Sequence, residues 1–171
     1  MQINPITDTI TAIATASGTA GIGIIRISGK NAKESLLRLF TPYQKKDMKP
    51  RQLILGQIKN TEGENLDQVL AVYFPSPHSY TTEDVVEIHC HGGMLAQKAI
   101  LKAILKTGVR LANPGEFTMR AFINGRIDLS QAEAIKTRQL CATVNKYFPG
   151  ERDIRPSEPF VFPYENARNT L

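Results

Sequence analysis

The chain has 171 residues, 42% of them apolar and 22% charged, with a net charge of +5. This length and composition suit one ordinary domain plus an appendage and exclude disorder of the whole; no apolar run approaches the roughly 20 residues of a membrane-spanning helix. Lys and Arg are dispersed, so contact with a polyanion is permitted without being dictated, and two cysteines with no CxxC pair and no secretory leader fit a reduced, cytoplasmic protein.

Asp8 to Thr15 reads as a first strand and Gly21 to Ser28 as a second, joined by the small residues Ala16 to Ala20 and closed by Gly29. Asn31 to Phe40 is predicted as a short helix, because Leu36, Leu37 and Phe40 recur at helical spacing and Asn31 with Glu34 makes a capping-box pattern. Beyond a basic loop from Lys45 to Pro50, Leu53–Ile58 and Asp67–Phe74 read as a hairpin with Thr61–Glu64 at its turn. A further strand lies within Ser79 to Gly93, S-Y-T-T-E-D-V-V-E-I-H-C-H-G-G. Met94 to Thr107 carries a helical apolar stripe that ends at Gly108; Pro114-Gly115 opens a helix over Glu116–Asn124 that Gly125 ends; Ser130 and Glu133 cap a last helix from Gln131. From about Thr137 the character changes. Pro149, Pro156, Pro159 and Pro163 forbid a long helix there, so residues 137–171 are expected to form a tail, helical only to about Lys146, apart from a domain spanning residues 1–136. Strands mixed with segregated helices give an α+β fold, a mixed sheet with helices packed on it.

The most informative pattern is the alternation in the Ser79–Gly93 segment. Side chains alternate across a strand, so Val86, Ile88 and Cys90 face one way and Glu87, His89 and His91 the other. A carboxylate and two imidazoles in line suit a binding or proton-handling site; the same alternation also suits the solvated face of an edge strand. Arg26 stands between Ile25 and Ile27, where an unpaired guanidinium is costly, so it should meet a carboxylate of the protein or an anionic ligand. Arg120, Arg126 and Glu116 gather two cations and a carboxylate on one helix and its exit, and Asp128 suits a helix cap. Gly18, Gly21 and Gly23 lack the Gly-Lys-Ser/Thr of a phosphate loop and the third glycine of a dinucleotide fingerprint; they suit close backbone approach to a flat ligand or a second chain, or a plain turn. Alternation turns Cys90 away from both histidines, which argues against zinc and against a thiolate nucleophile.

Four ordered blocks, D-T-I-T-A-I-A-T, G-I-G-I-I-R-I-S-G, S-P-H-S-Y-T-T-E-D-V-V-E-I-H-C-H-G-G and N-P-G-E-F-T-M-R-A-F-I-N-G-R-I-D-L-S-Q-A-E-A-I, closely resemble the N-terminal domain of the tRNA-modification GTPase family known as MnmE or TrmE. The resemblance runs from about Asp8 to Ile135. It implies a fold like the folate-binding domain of the glycine-cleavage aminomethyltransferase, binding of a tetrahydrofolate derivative (5-formyl or 5,10-methylene), and homodimerisation. It further implies joint work with an MnmG/GidA-type flavoprotein to place an aminomethyl-type group on C5 of the tRNA wobble uridine. By the same resemblance Arg26, Glu87 and Arg126 are the folate contacts. Many members carry lysine where this chain has Arg126, and arginine where it has Asn113. GTP, Mg and K belong to the parent family through a G domain; this sequence has no Walker lysine, D-x-x-G or N-K-x-D string, so GTP hydrolysis is not expected of it. A free-standing tetrahydrofolate-dependent one-carbon transferase using Glu87, His89 or His91 as acid or base is the alternative.

Overall fold

The computed structural model describes residues 8–16, 20–44 and 47–135. In chain order the elements are β1 (Ile10–Ile13), β2 (Ile22–Ser28), α1 (Ala32–Leu37), β3 (Phe40–Pro42), β4 (Ile54–Lys59), β5 (Asn65–Phe74), β6 (Val85–His91), α2 (Met94–Leu105), β7 (Arg110–Leu111) and α3 (Glu116–Ile123). The described residues up to Arg126 form one compact unit and those from Ile127 belong to a second, in which residues 129–135 are helical. The boundary expected at 136/137, and the tail beyond it, lie outside the described residues, as does Gly18.

The seven strands make one mixed sheet in the order β3-β4-β5-β6-β2-β1-β7. Neighbours are antiparallel except β1 and β7, which run parallel. The α+β expectation therefore holds, and β6 sits between β5 and β2 rather than at an edge, which removes the edge-strand reading of its polar face.

One sheet face is a continuous apolar core. Ile25, Ile27, Val86, Ile88, Cys90, Val69 and Ala71 pack against Ala32 and Leu36 of α1 and Ile100, Ala103 and Ile104 of α2. Helices form here because their apolar residues recur every three or four positions; Gly108, at φ +92°, then takes the left-handed turn that ends α2. Gly23 is closely packed for the same reason: a Cβ there would sit 2.5 Å from the buried Gln97 side chain, so this glycine serves internal packing between β2 and α2.

The helix expected to reach Phe40 ends at Leu37, because Phe40 enters β3 and pairs with Ile58 while burying its ring in the core. Asn31 makes no side-chain cap; its amide donates to Thr9 Oγ1 at 3.1 Å, and Glu34 instead bonds Arg38 at 2.6 Å. The last capping box also forms two residues earlier than predicted. Asp128 Oδ1 accepts from the Gln131 amide at 2.8 Å and Gln131 Oε1 accepts from the Asp128 amide at 3.1 Å, so Asp128 fills the cap assigned to Ser130. The two-residue β7 was not expected; it exists because β1 offers an open edge to pair with.

Candidate functional site

The second face of the sheet carries the polar chemistry. Arg26 on β2 lies directly opposite Glu87 on β6, and Ile24 opposite His89, so the register alone places these side chains on one face. Arg26 Nε donates to Glu87 Oε1 at 2.9 Å and its Nη2 donates to the same oxygen at 2.7 Å. His89 Nε2 stands 3.4 Å from Glu87 Oε2. All three side chains are half-buried, with 26%, 17% and 24% of their surface exposed. Such a pair remains reachable, and Glu87 retains acceptor capacity on Oε2.

Two aromatic rings roof this cluster. The Arg26 guanidinium carbon lies 5.4 Å from the centre of the Tyr80 ring and 5.7 Å from that of Phe117, within cation–π range of both. Tyr80 comes from the loop before β6 and Phe117 from the first turn of α3, and Tyr80 Oη lies 3.1 Å from Thr118 Oγ1. These two were not singled out from the sequence. The signal was there, since two of the four quoted blocks set an aromatic residue close to an acid, Tyr80 before Glu83 and Phe117 after Glu116.

His91 does not join the cluster. Its Nδ1 meets Asp67 Oδ1 at 2.6 Å, its amide donates to Asp67 Oδ2, and its ring is largely exposed. Cys90 points into the core, where its thiol donates weakly to the Gly23 carbonyl at 3.4 Å. Burial, reinforced by the Asp67 charge, pushes that thiol up to about 11, the opposite of an activated nucleophile. Arg126 is exposed just after Gly125; no ion pair or side-chain hydrogen bond ties it to another described residue.

Behind the roof lies an ion-pair network whose extent the sequence did not disclose. Glu116 and Arg120, one turn apart on α3 and each 1% exposed, bond at 2.9 Å. Glu116 also accepts from Arg110 at 2.6 and 3.0 Å and from the Asn113 amide at 2.7 Å. Arg120 reaches Asp8 Oδ1 at 2.7 Å, the Asp8 carbonyl at 2.8 Å and Glu83 Oε1 at 3.1 Å. Burial by itself would raise the Glu116 pKa; the Arg110 bonds, the Asn113 amide and Arg120 outweigh it and bring the group down to about 2. The Arg110 hydrogen bond likewise holds Asp8 below its usual value. Burial opposes the charge on Arg120, yet Glu116, Glu83 and Asp8 raise its pKa above that of a free guanidinium. Of the three residues expected to gather on this helix and its exit, Glu116 and Arg120 meet, and Arg126 is not among their bonded partners.

A family model described as the GTP-binding protein TrmE N-terminus matches residues 9–126. Curated relatives named tRNA modification GTPase MnmE include one from Alkaliphilus metalliredigens (strain QYMF), 57% identical over 132 residues that cover 75% of this chain and 29% of the relative. Another, from Lawsonia intracellularis (strain PHE/MN1-00), is 55% identical over 130 residues, covering 75% of this chain and 28% of the relative. A third, from Chloroflexus aurantiacus (strain ATCC 29366 / DSM 635 / J-10-fl), is 54% identical over 127 residues, covering 74% and 28%. The chain thus spans less than a third of the length of these relatives.

Proposed function

This chain belongs to the TrmE N-terminus family, and from that premise we propose that its polar sheet face binds a tetrahydrofolate derivative for a tRNA-modification GTPase. The observation that carries the reading is the half-buried Arg26–Glu87–His89 cluster under the Tyr80 and Phe117 rings. A pterin is flat and edged with adjacent N–H donors. Aromatic walls suit its faces, and an ionised carboxylate suits its donor edge. Because Glu87 Oε1 already takes two bonds from Arg26, Oε2 is the oxygen through which Glu87 receives those donors. Arg26 is committed to Glu87, so the anionic glutamate tail falls to the exposed Arg126, whose fork grips a carboxylate differently from a lysine. A bound tetrahydrofolate would supply the one-carbon unit; the chain's residues bind and orient it.

On this reading the domain acts in the cytoplasm as a homodimer, alongside an MnmG/GidA-type flavoprotein, in building an aminomethyl-type group on C5 of the wobble uridine of tRNA. GTP chemistry belongs to a G domain outside this sequence. A free-standing one-carbon transferase is the second reading, and His89 beside Glu87 is what favours it, as a group able to move a proton near a reacting carbon. Calorimetry with 5-formyltetrahydrofolate tests the binding claim: Glu87→Ala should lower affinity by about 1.5 to 3 kcal/mol, the scale of a hydrogen bond to a charged group. Unchanged affinity in that variant would remove Glu87 from the site. Light scattering at tens of micromolar protein, on the order of where weak self-association shows, tests the dimer, and a monomeric mass with and without folate counts against it.

A further inference from the structure

We propose that Glu83 is a positioning residue that couples the buried ion-pair network of α3 to the aromatic roof over Arg26. The proposal rests on the reading of the Arg26–Glu87 cluster as a ligand site, and it concerns what holds that site closed rather than what touches the ligand. Glu83 is bonded on two sides. Its Oε1 accepts from Arg120 at 3.1 Å, and its Oε2 accepts from Ser28 Oγ at 2.6 Å. A hydroxyl has one proton, so Ser28, having given its own to Glu83, accepts the Thr81 hydroxyl at 2.6 Å. The relay therefore runs from α3 through Arg120 and Glu83 to Ser28 and Thr81, and Thr81 is the residue next to Tyr80.

Three further ties hold the same loop. The Ser79 hydroxyl donates to the Glu83 carbonyl, Asn124 Nδ2 donates to the Thr81 carbonyl at 2.7 Å, and Tyr80 Oη meets Thr118 on α3. The loop resists its own backbone, because Thr82 has φ +60°, a left-handed conformation that a β-branched residue adopts only when its surroundings over-determine it. Without the Glu83 clamp that strain has an outlet, and the ring that moves first is Tyr80. Both rings over Arg26 hang from the one assembly: Phe117 is the neighbour of Glu116 on α3, and Tyr80 is three residues from Glu83. Ser28 lies two residues from Arg26 on the same strand face, so the relay also ends on the strand that carries the guanidinium.

The test is a double-mutant cycle on the full chain with Glu83→Gln and Tyr80→Ala, read two ways. Glu83→Gln preserves shape and removes one of the three carboxylates that hold Arg120, the one that ties it to the Tyr80 loop. By calorimetry it should weaken 5-formyltetrahydrofolate by roughly tenfold in the parent and have no further effect once Tyr80 is alanine, the non-additivity expected when one residue acts through another. By NMR the Arg26 Nε–H resonance, which senses both rings, should shift in Glu83→Gln in the direction that Tyr80→Ala shifts it. Equal affinity losses in both backgrounds, or an Arg26 resonance that Glu83→Gln leaves in place, would overturn the proposal. If the parent chain binds no folate, the ligand reading fails alone, and the resonance decides whether Glu83 positions the roof.

Discussion

Replacing Glu116 with glutamine should destabilise the domain by about 3 kcal/mol at neutral pH, and that deficit should fade on acidification. Glu116 is 1% exposed and all four of its acceptor positions are used, by Arg110 twice, Arg120 and the Asn113 amide. Its pKa falls from an ordinary 4.5 to about 2 in the folded chain, and that depression corresponds to about 3 kcal/mol of stabilisation. Removing one member of a buried pair gives about 3 to 5 kcal/mol by an independent route, since Arg120 is left buried with less compensation. The sign follows from the depressed carboxylate. The contribution is complete above the unfolded value of 4.5 and disappears as pH falls through about 2, so only about 1 kcal/mol should remain at pH 3. Urea unfolding of the parent and Glu116→Gln, followed by far-UV circular dichroism at a series of pH values, measures the difference directly. A gap below half a kcal/mol at pH 7 (about the noise of a neutral surface substitution), or one that stays constant down to pH 3, would refute the assignment.

The adjacent glycines of the turn after β6 should behave oppositely. A Cβ at Gly92 would lie 1.8 Å from the Ala20 carbonyl oxygen, so Gly92→Ala should cost about 3 kcal/mol or more, whereas Gly93, with nothing within 4 Å and φ −67°, should accept alanine within about 0.5 kcal/mol in thermal melts. In a Cys141→Ser chain the native Cys90 thiol, buried and raised to about 11, should react with a disulfide reagent at pH 8 (roughly 1000-fold below half ionisation) only as fast as the protein unfolds; prompt stoichiometric labelling would show that the strand face is open. Tyr73 Oη donates to Asp84 Oδ1 at 2.9 Å, and burial followed by that carboxylate raises its pKa to about 12, so ultraviolet titration should find one tyrosine ionising well after an ordinary phenol, and Asp84→Ala should bring it down.

Whatever a local period or a single backbone angle encodes could be read directly from the order of the residues. The two-residue alternation in β6 sorted Glu87 and His89 from Ile88 and Cys90 before any neighbour was known, because pleating leaves a strand no other choice. Gly108, Gly115 and Gly125 marked helix ends because each takes a positive φ there. Arg26 between two isoleucines required a partner by the cost of burying a charge, and the structure supplies Glu87, 61 residues away. Tertiary structure alone decided which partner, since only the register of β2 on β6 sets those two side chains opposite each other. It likewise decided that His91 turns to Asp67, that Arg120 closes on Asp8 across 112 residues of chain, and that Tyr80 and Phe117 converge over one guanidinium. Short elements fell on the same side: β3 and β7 carry too few residues for a period to show, and their strands exist because a neighbour presents an unpaired edge. Hydrogen bonds and ion pairs act through space over a few ångströms, while a sequence records proximity only along the chain, so the network behind the site became visible only when the sheet brought its members together.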